Sequence, residues 1–253
     1  MAQRIKLLIT VKTYPLPSTK YEEIVCTAGV LEDGTFIRLY PLDYRSKSYE
    51  QWFKKYQWVG VDVEKNIKDP RPESFRPLSD IKPIGDVIRT NKNWAERRRY
   101  VLAKPMKTMC QLDNTPQSEV SLGIIKPRII EDFLIEKTEK DWKPKTVALI
   151  NQMKLFGPDK KPIEKIPYKF SYIFKCQEPK CSGHTKMIED WEVGQLFRKM
   201  RDDFNNEKIA CEKVKQRFFD TICAPDKDTH FFVGTVLGHS TWIILGTFWP
   251  RKE

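Results

Sequence analysis

Glycine is scarce in this chain, at 11 of 253 residues, and no apolar run approaches the ~20 residues that a membrane-spanning helix requires. Long flexible linkers are therefore not expected, and neither a GxGxxG nor a P-loop is present to cradle a nucleotide. GxSxG and HExxH are missing too, which removes the common esterase and metalloprotease readings. None of the six cysteines forms a CxxC pair, so the strong signature of a zinc knuckle is lacking. The start, MAQRIKLLITVKTYP, has only LLITV as an apolar core, too short for a signal peptide and without a small-residue cleavage site. A cytoplasmic protein that does not enter membranes is the expectation, and its cysteines are then reduced thiols or metal ligands.

What the chain has in excess is positive charge. Lys and Arg number 45 against 34 acids, a net charge of +11. Such an excess concentrates polyanions around a protein and speeds their capture. Nucleic acid, an anionic membrane surface and an acidic protein are the candidate partners. With 40% hydrophobic and 12% aromatic residues the chain folds into a core, and 17 prolines favour β-edges and rigid turns.

The fold class expected is α+β. RIKLLITVKTY, EEIVCTAGV and TFIRLYPL read as strands, the last two joined by a hairpin turn at Glu32 to Gly34. They suggest an N-terminal β-barrel-like, OB-like module. DPRPESFRPLSD, with three prolines and no apolar period, reads as an extended surface segment. SLGIIKPRIIEDFLIE is strand, proline break, strand, and VALINQMKLFG is a short helix ended by Gly157 and Pro158. PDKKPIEKIP is the best linker, which divides the chain into 1–160, a β-barrel-like module, and 161–253, a smaller α+β domain. That second part opens on the half-buried strand YKFSYIFKC. Val193, Leu196, Phe197, Met200 and Phe204 then recur at helical spacing in DWEVGQLFRKMRDDF, and IACEKVKQRFFDTI is a second helix. HFFVGTVLG and STWIILGTFW close the chain as a hairpin, with His230 and His239 at surface or edge positions.

Candidate site residues fall in several groups. In FIRLY, Phe36, Arg38 and Tyr40 share a strand face that can stack bases and hold phosphate, or else Arg38 covers a barrel mouth. Residues 89 to 107 carry Arg97, Arg98, Arg99 and Lys104 among Trp94 and Tyr100, which reads as a nucleic-acid groove or as a solvated helix face. Lys12 and Tyr14, with Tyr21, Glu22 and Glu23, bracket a proline-containing loop at the barrel mouth, where Glu22 or Glu23 is a candidate catalytic carboxylate. Cys176-x4-Cys181-x2-His184 supplies three of the four ligands that structural zinc needs, the fourth to come from Cys211, Cys223, His230 or His239. Asp190 and Glu192 straddle a helix start, where acids cap free N–H groups; alternatively one activates water beside a bound nucleotide, with His184 as partner.

KTYP, VCTAG, DGTFIRLYP, DPRPESFRP, SLGIIKP, IPYKFSYIFKC, the CSGH and IEDWE run, HFFVGT and WIILGTFWP together resemble a family of uncharacterised bacterial proteins, over nearly the whole chain. VCTAGVLEDGTFIRLYP also resembles the opening of OB-like barrels that bind nucleic acid. The resemblance implies an accessory gene of mobile or phage-defence loci with foreign DNA as target, and it assigns no catalytic residue. The functional expectation is a DNA-binding (or RNA-binding) protein that hydrolyses DNA as a glycosylase, with modified bases among the candidate substrates. A metal-dependent nuclease and a non-enzymatic protein-interaction module are the alternatives.

Overall fold

The computed structural model describes residues 2–18, 22–42, 52–148, 164–239 and 241–253. β1 (Gln3–Lys12), β4 (Thr27–Val30), β5 (Phe36–Leu39), β6 (Trp58–Lys65) and β7 (Ser74–Pro77) form a closed ring in the order β1-β4-β5-β7-β6, with β6 returning to β1. Every pairing is antiparallel except β5 with β7. This is a five-stranded Greek-key barrel of the OB type. Ile5, Leu7, Ile9, Ile37, Leu39, Val59, Val61 and Val63 alternate inward and fill it. A small hairpin, β2 (Leu16–Ser18) with β3 (Glu22–Ile24), occupies the first connection, and β8 (Lys82–Ile84) extends the sheet from β6.

The expected surface segment DPRPESFRPLSD is instead the strand that closes this barrel. Ser74 to Pro77 pairs on both sides, and Asp69 and Arg71 ahead of it are buried together as an ion pair of 2.6 Å. The prolines hid it because each lies where its missing N–H costs little.

The second half repeats the connectivity. β9 (Leu122–Ile125) runs on across Lys126 into β10 (Pro127–Lys137). β10 pairs with β11 (Tyr168–Cys176), and β11 with β12 (His184–Met187). β14 (Trp242–Phe248) pairs with β13 (His230–Thr235), and β13 returns to β9. All these pairings are antiparallel, and a single parallel bridge, Ile188 with Ile244, joins the third strand to the fifth. Strand order and directions match those of the first barrel, and two helices, α3 (Trp191–Phe204) and α4 (Glu207–Lys215), fill the connection between third and fourth strands. Phe133, Phe170, Tyr172, Phe174, Phe197, Phe231 and Ile244 form its core. A π-helical turn, Gln216–Thr221, ends α4. Residues 144–148 are helical, while the rest of the expected VALINQMKLFG helix and the linker around residue 160 lie outside the described residues.

The two barrels share a third core, in which Leu8, Ala28 and Val30 of the first meet Leu122, Ile124, Phe232 and Phe248 of the second. Between them run α1 (Asn91–Val101) and α2 (Met109–Asp113). The first turn of α1 is left-handed at Lys92, Asn93 and Trp94, with φ of 47°, 51° and 61°. This places Trp94 edge-on to Phe248 and Trp249, each with ring centroids 5.2 Å away. Hydrogen bonds in both directions between Asn93 and Arg251 hold the turn, offsetting the cost of a left-handed backbone at residues with a Cβ.

Candidate functional site

The strand face expected to bind nucleic acid is inside the molecule. Arg38 has no accessible surface; it donates to Ser74 Oγ at 3.2 Å, Ser121 Oγ at 2.8 Å and the Ser121 carbonyl at 2.9 Å. Phe36 meets Phe232 across the same contact, with ring centroids 6.5 Å apart. Arg38 is thus a cross-barrel clasp, a correction to the expected phosphate contact. Tyr40 is half-buried under the Arg71 guanidinium, 5.8 Å from its ring centre.

The basic region divides. Arg97 is buried between Tyr56, at 3.9 Å, and Trp94, at 4.9 Å, and donates to the Ile88 carbonyl, so it is structural rather than part of a groove. Arg98 is half-buried and bonds to Asp228 and the Arg251 carbonyl. Lys104 is exposed but bonds to Asp33 and Thr35. Arg89, Lys92, Arg99 and Lys107 are exposed, and among the described residues no ion pair engages them. Contrary to the edge position expected, His230 is buried, its Nδ1 2.9 Å from the Asp228 carbonyl.

Where the barrels meet, a bridge between Thr13 and Asp190 brings the end of β1 against the start of α3. Asp190 caps α3 by accepting from the Glu192 N–H at 2.9 Å, and both its oxygens take the Lys55 ammonium, at 2.8 and 2.7 Å. Burial works against the Lys55 charge, but the Asp190 and Glu192 carboxylates outweigh it and raise its pKa. Glu192 is largely exposed, 3.5 Å from the same ammonium. Lys12 is buried beside them rather than exposed to ligand, donating to the Phe53 carbonyl, and burial followed by the nearby Lys55 lowers its pKa to about 8. Of Glu22 and Glu23 only the backbone, in β3, is described, and Tyr21 lies outside the described residues.

Glu189, which sequence reasoning passed over for the neighbouring Asp190, has a different setting. Its backbone is pinned on both sides: its N–H donates to the Ile244 carbonyl, and its carbonyl accepts from the Tyr14 N–H. Its side chain lines a cavity of about 290 Å³ between the barrels. Burial raises its carboxyl pKa to about 7. No side-chain hydrogen bond or ion pair engages that carboxyl among the described residues. Gly194 is required here, because a Cβ would lie 2.3 Å from the Tyr14 ring that forms one wall.

A cluster of metal-ligand side chains lies at the other end of β11. Cys110, Cys176, Cys181 and His184 present their donor atoms within 4.8 Å of one another. Cys176 Sγ is 3.5 Å from Cys110 Sγ, and His184 Nε2 is 3.5 Å from Cys110 Sγ and 3.2 Å from Cys181 Sγ. Tetrahedral zinc with its usual bond lengths has ligand–ligand edges of about 3.6–3.8 Å; seating the ion needs the short edges here to open slightly, and any edge near the 4.8 Å limit of the cluster to close. Asp113 lies 3.2 Å from the other His184 nitrogen and orients the ring. Cys110, set in α2 by the Thr108–Gln111 capping box, completes the set; the four residues expected to do so, Cys211, Cys223, His230 and His239, are not in it. Only its being a lone cysteine behind a capping signal marked it, and 66 residues separate it from Cys176.

A family model described as "Domain of unknown function (DUF8757)" matches residues 105–253, and one described as "Domain of unknown function (DUF8758)" matches residues 3–103. No curated protein matches the chain. One solved structure, described as "Structure of murine DNA binding protein bound with ds DNA", aligns with 99% of this chain and 97% of its own at 8% identity. Its TM-score of 0.33 is too low to bear on function.

Proposed function

The chain belongs to the family described as Domain of unknown function (DUF8757), and we propose that it binds single-stranded nucleic acid, DNA or RNA, on its second barrel. OB-type barrels take oligonucleotides on the face of strands 2 and 3 and on the connections 1–2 and 4–5. In the first barrel that face is buried against the second. In the second barrel it corresponds to β11 and β12, and the described part of connection 1–2 carries exposed Lys140, Lys143 and Lys145 just beyond Lys137. The observation supporting the reading is that no ion pair engages these four lysines among the described residues, beside a half-buried Trp142. Unneutralised lysines next to stacking aromatics are the composition of a single-strand track. Arg89, Lys92, Arg99 and Lys107 on the α1 side are a second set of cations for a longer strand. Titration of a labelled 12-nucleotide strand, as DNA and as RNA, against salt tests this: affinity falls steeply as salt rises. No binding of either at low salt refutes it and favours a protein-interaction module.

The metal cluster is read as a structural zinc site that ties α2 to the end of β11. Its ligands are Cys110, Cys176, Cys181 and His184. Metal analysis of the purified protein should give one zinc per chain; fewer than one per two chains refutes the assignment.

A hydrolase acting on the glycosidic bond is the second reading, supported by Glu189, which lines the cavity and whose carboxyl pKa is raised by burial to about 7. Its carboxylate would take a proton from water as the oxygen bonds to C1′ and the base departs with the glycosidic pair. Asp190 and Glu192 are engaged by Lys55, which ranks a metal-dependent nuclease behind it. Alkali-labile breaks in plain or base-modified DNA, lost in Glu189→Gln, are the expected signal; breaks made without alkali and abolished by EDTA mean a nuclease instead.

A further inference from the structure

We propose that the cavity between the barrels takes one positively charged nucleobase, the class made by alkylation of a ring nitrogen, between its aromatic walls and the Glu189 carboxylate. The inference rests on the nucleic-acid reading and names the base for which that surface keeps a separate pocket.

Charge comes first. Four ionic side chains line the cavity, and two are already neutralised: Lys169 pairs with Glu136 at 2.7 Å, and Asp190 with Lys55 at 2.7 Å. Lys165 bonds to the carbonyls of Glu139 and Asp141, which leave its charge uncompensated. The half-buried Glu189 carboxyl has no hydrogen bond or ion pair among the described residues. One cation and one anion are thus left for a ligand that carries both charges. A nucleotide with a cationic base is such a ligand, its phosphate drawn to Lys165 and its ring to Glu189. Ordinary bases are neutral and offer the carboxylate no charge.

The walls favour the same class. Tyr14 comes from the first barrel and Trp142 from connection 1–2, while Tyr168 and Phe170 stand two apart on one face of β11. Both phenol hydroxyls are engaged elsewhere, Tyr14 by the Glu164 carbonyl and Tyr168 by Glu207, so the rings are what remains for a ligand. Aromatic rings stack on any base, and a cation is attracted further by the charge distribution of the ring face. A volume of about 290 Å³ suits a single ring system. Lys165 fastens connection 1–2 to the cavity, so a strand tracking Lys137 to Lys145 passes its opening.

The same charge suits the hydrolysis reading. When water attacks C1′ and Glu189 takes its proton, the base leaves with the glycosidic electron pair. A neutral base then departs as an anion and needs a proton. An N-alkylated cation departs neutral, so a single carboxyl suffices.

All-thymine 12-nucleotide strands with one central modified base test the pocket by fluorescence anisotropy, at low salt and about pH 7.5, above the Glu189 pKa of about 7. Cationic 1-methyladenine is compared with its neutral isomer N6-methyladenine, and cationic 3-methylcytosine with neutral 5-methylcytosine. On a chain of net charge +11 an added positive charge by itself weakens binding, so tighter binding of the cation reports a local site. The cationic member of each pair is expected to bind about tenfold more tightly, within what a desolvated cation gains over aromatic rings. Glu189→Gln, shown to be folded by its thermal midpoint, should lose that preference. Glu32→Gln, which removes an exposed carboxylate from the first barrel, should keep it. If Glu189→Gln does not fold, Trp142→Leu should reduce the preference about threefold. Equal affinities within both pairs, or a preference that survives the Glu189 or Trp142 substitution, overturn the pocket while the nucleic-acid reading stands. No binding of any strand overturns both.

Discussion

The two barrels have one strand order and opposite surroundings. In the first, the face of strands 2 and 3 carries Ala28, Val30, Phe36 and Arg38, and all four pack against the second barrel. In the second, the corresponding end of the sheet adjoins a cavity lined by Tyr168, Lys169 and Glu189. Topology supplies a binding face only where nothing else covers it. An arginine between two aromatics on a strand looks the same in sequence whether it meets phosphate or clasps a neighbouring domain.

The largest effect that separates the halves belongs to the metal cluster, which lies in the second barrel and its α2 neighbour. On the zinc reading, Cys176→Ser should abolish metal binding and destabilise the protein by several kcal/mol, read as a collapse of the thermal midpoint together with zero zinc by metal analysis. Unchanged stability in the variant would mean that the cysteines pack without an ion.

Arg38→Ala comes next, and it probes the covered face. Removing a buried guanidinium leaves a void and strips Ser121 of a donor, so denaturant unfolding should show a loss of about 2–5 kcal/mol. Binding to single strands, measured where the variant is folded, should not change. Weaker binding would return the first barrel to the interface.

Replacing Lys137, Lys140, Lys143 and Lys145 together with Ala should lower affinity and flatten the log–log salt slope by up to about 3, at ~0.7 per phosphate on a single strand. Replacing Arg97 instead should cost stability and leave the slope alone.

A pH effect is smaller and its sign is fixed. The Glu189 carboxyl pKa is raised in the folded protein to about 7, from an ordinary value of 4.5, by burial. The folded state thus holds a proton that the unfolded chain releases. Stability is full below about pH 4.5 and falls as pH climbs to 7, by roughly 1–3 kcal/mol. Tyr14, Lys165, Tyr168, Lys169 and Asp190 line the same cavity, and Glu189→Gln should flatten this part of the profile by removing the carboxyl among them.

Local pattern was legible. Gln3–Lys12, Tyr168–Cys176 and Trp191–Phe204 form the strands and helix that their periodicity predicts. The terminal hairpin and the positive φ of Gly34, at 80°, follow from turn chemistry. The second ring was not legible, because its closure depends on one bridge between Ile188 and Ile244, 56 residues apart, and no local period encodes such a pair. Cys110 escaped for the same reason. Arg38, Arg97 and His230 show the converse limit: a polar residue among apolar ones signals either function or a satisfied core group, and only its partners decide. Asp190 drew attention by its place in DWE, yet capping and Lys55 engage it, while Glu189 beside it faces the open volume.

Hydrogen exchange read by mass spectrometry, with and without a saturating 12-nucleotide strand, tests the division between the barrels most directly. Protection on binding should appear in peptides covering 137–145, 165–170 and 187–189, with 27–30 and 36–39 unchanged. Protection confined to the first barrel or to 89–107, with the second barrel silent, would contradict it.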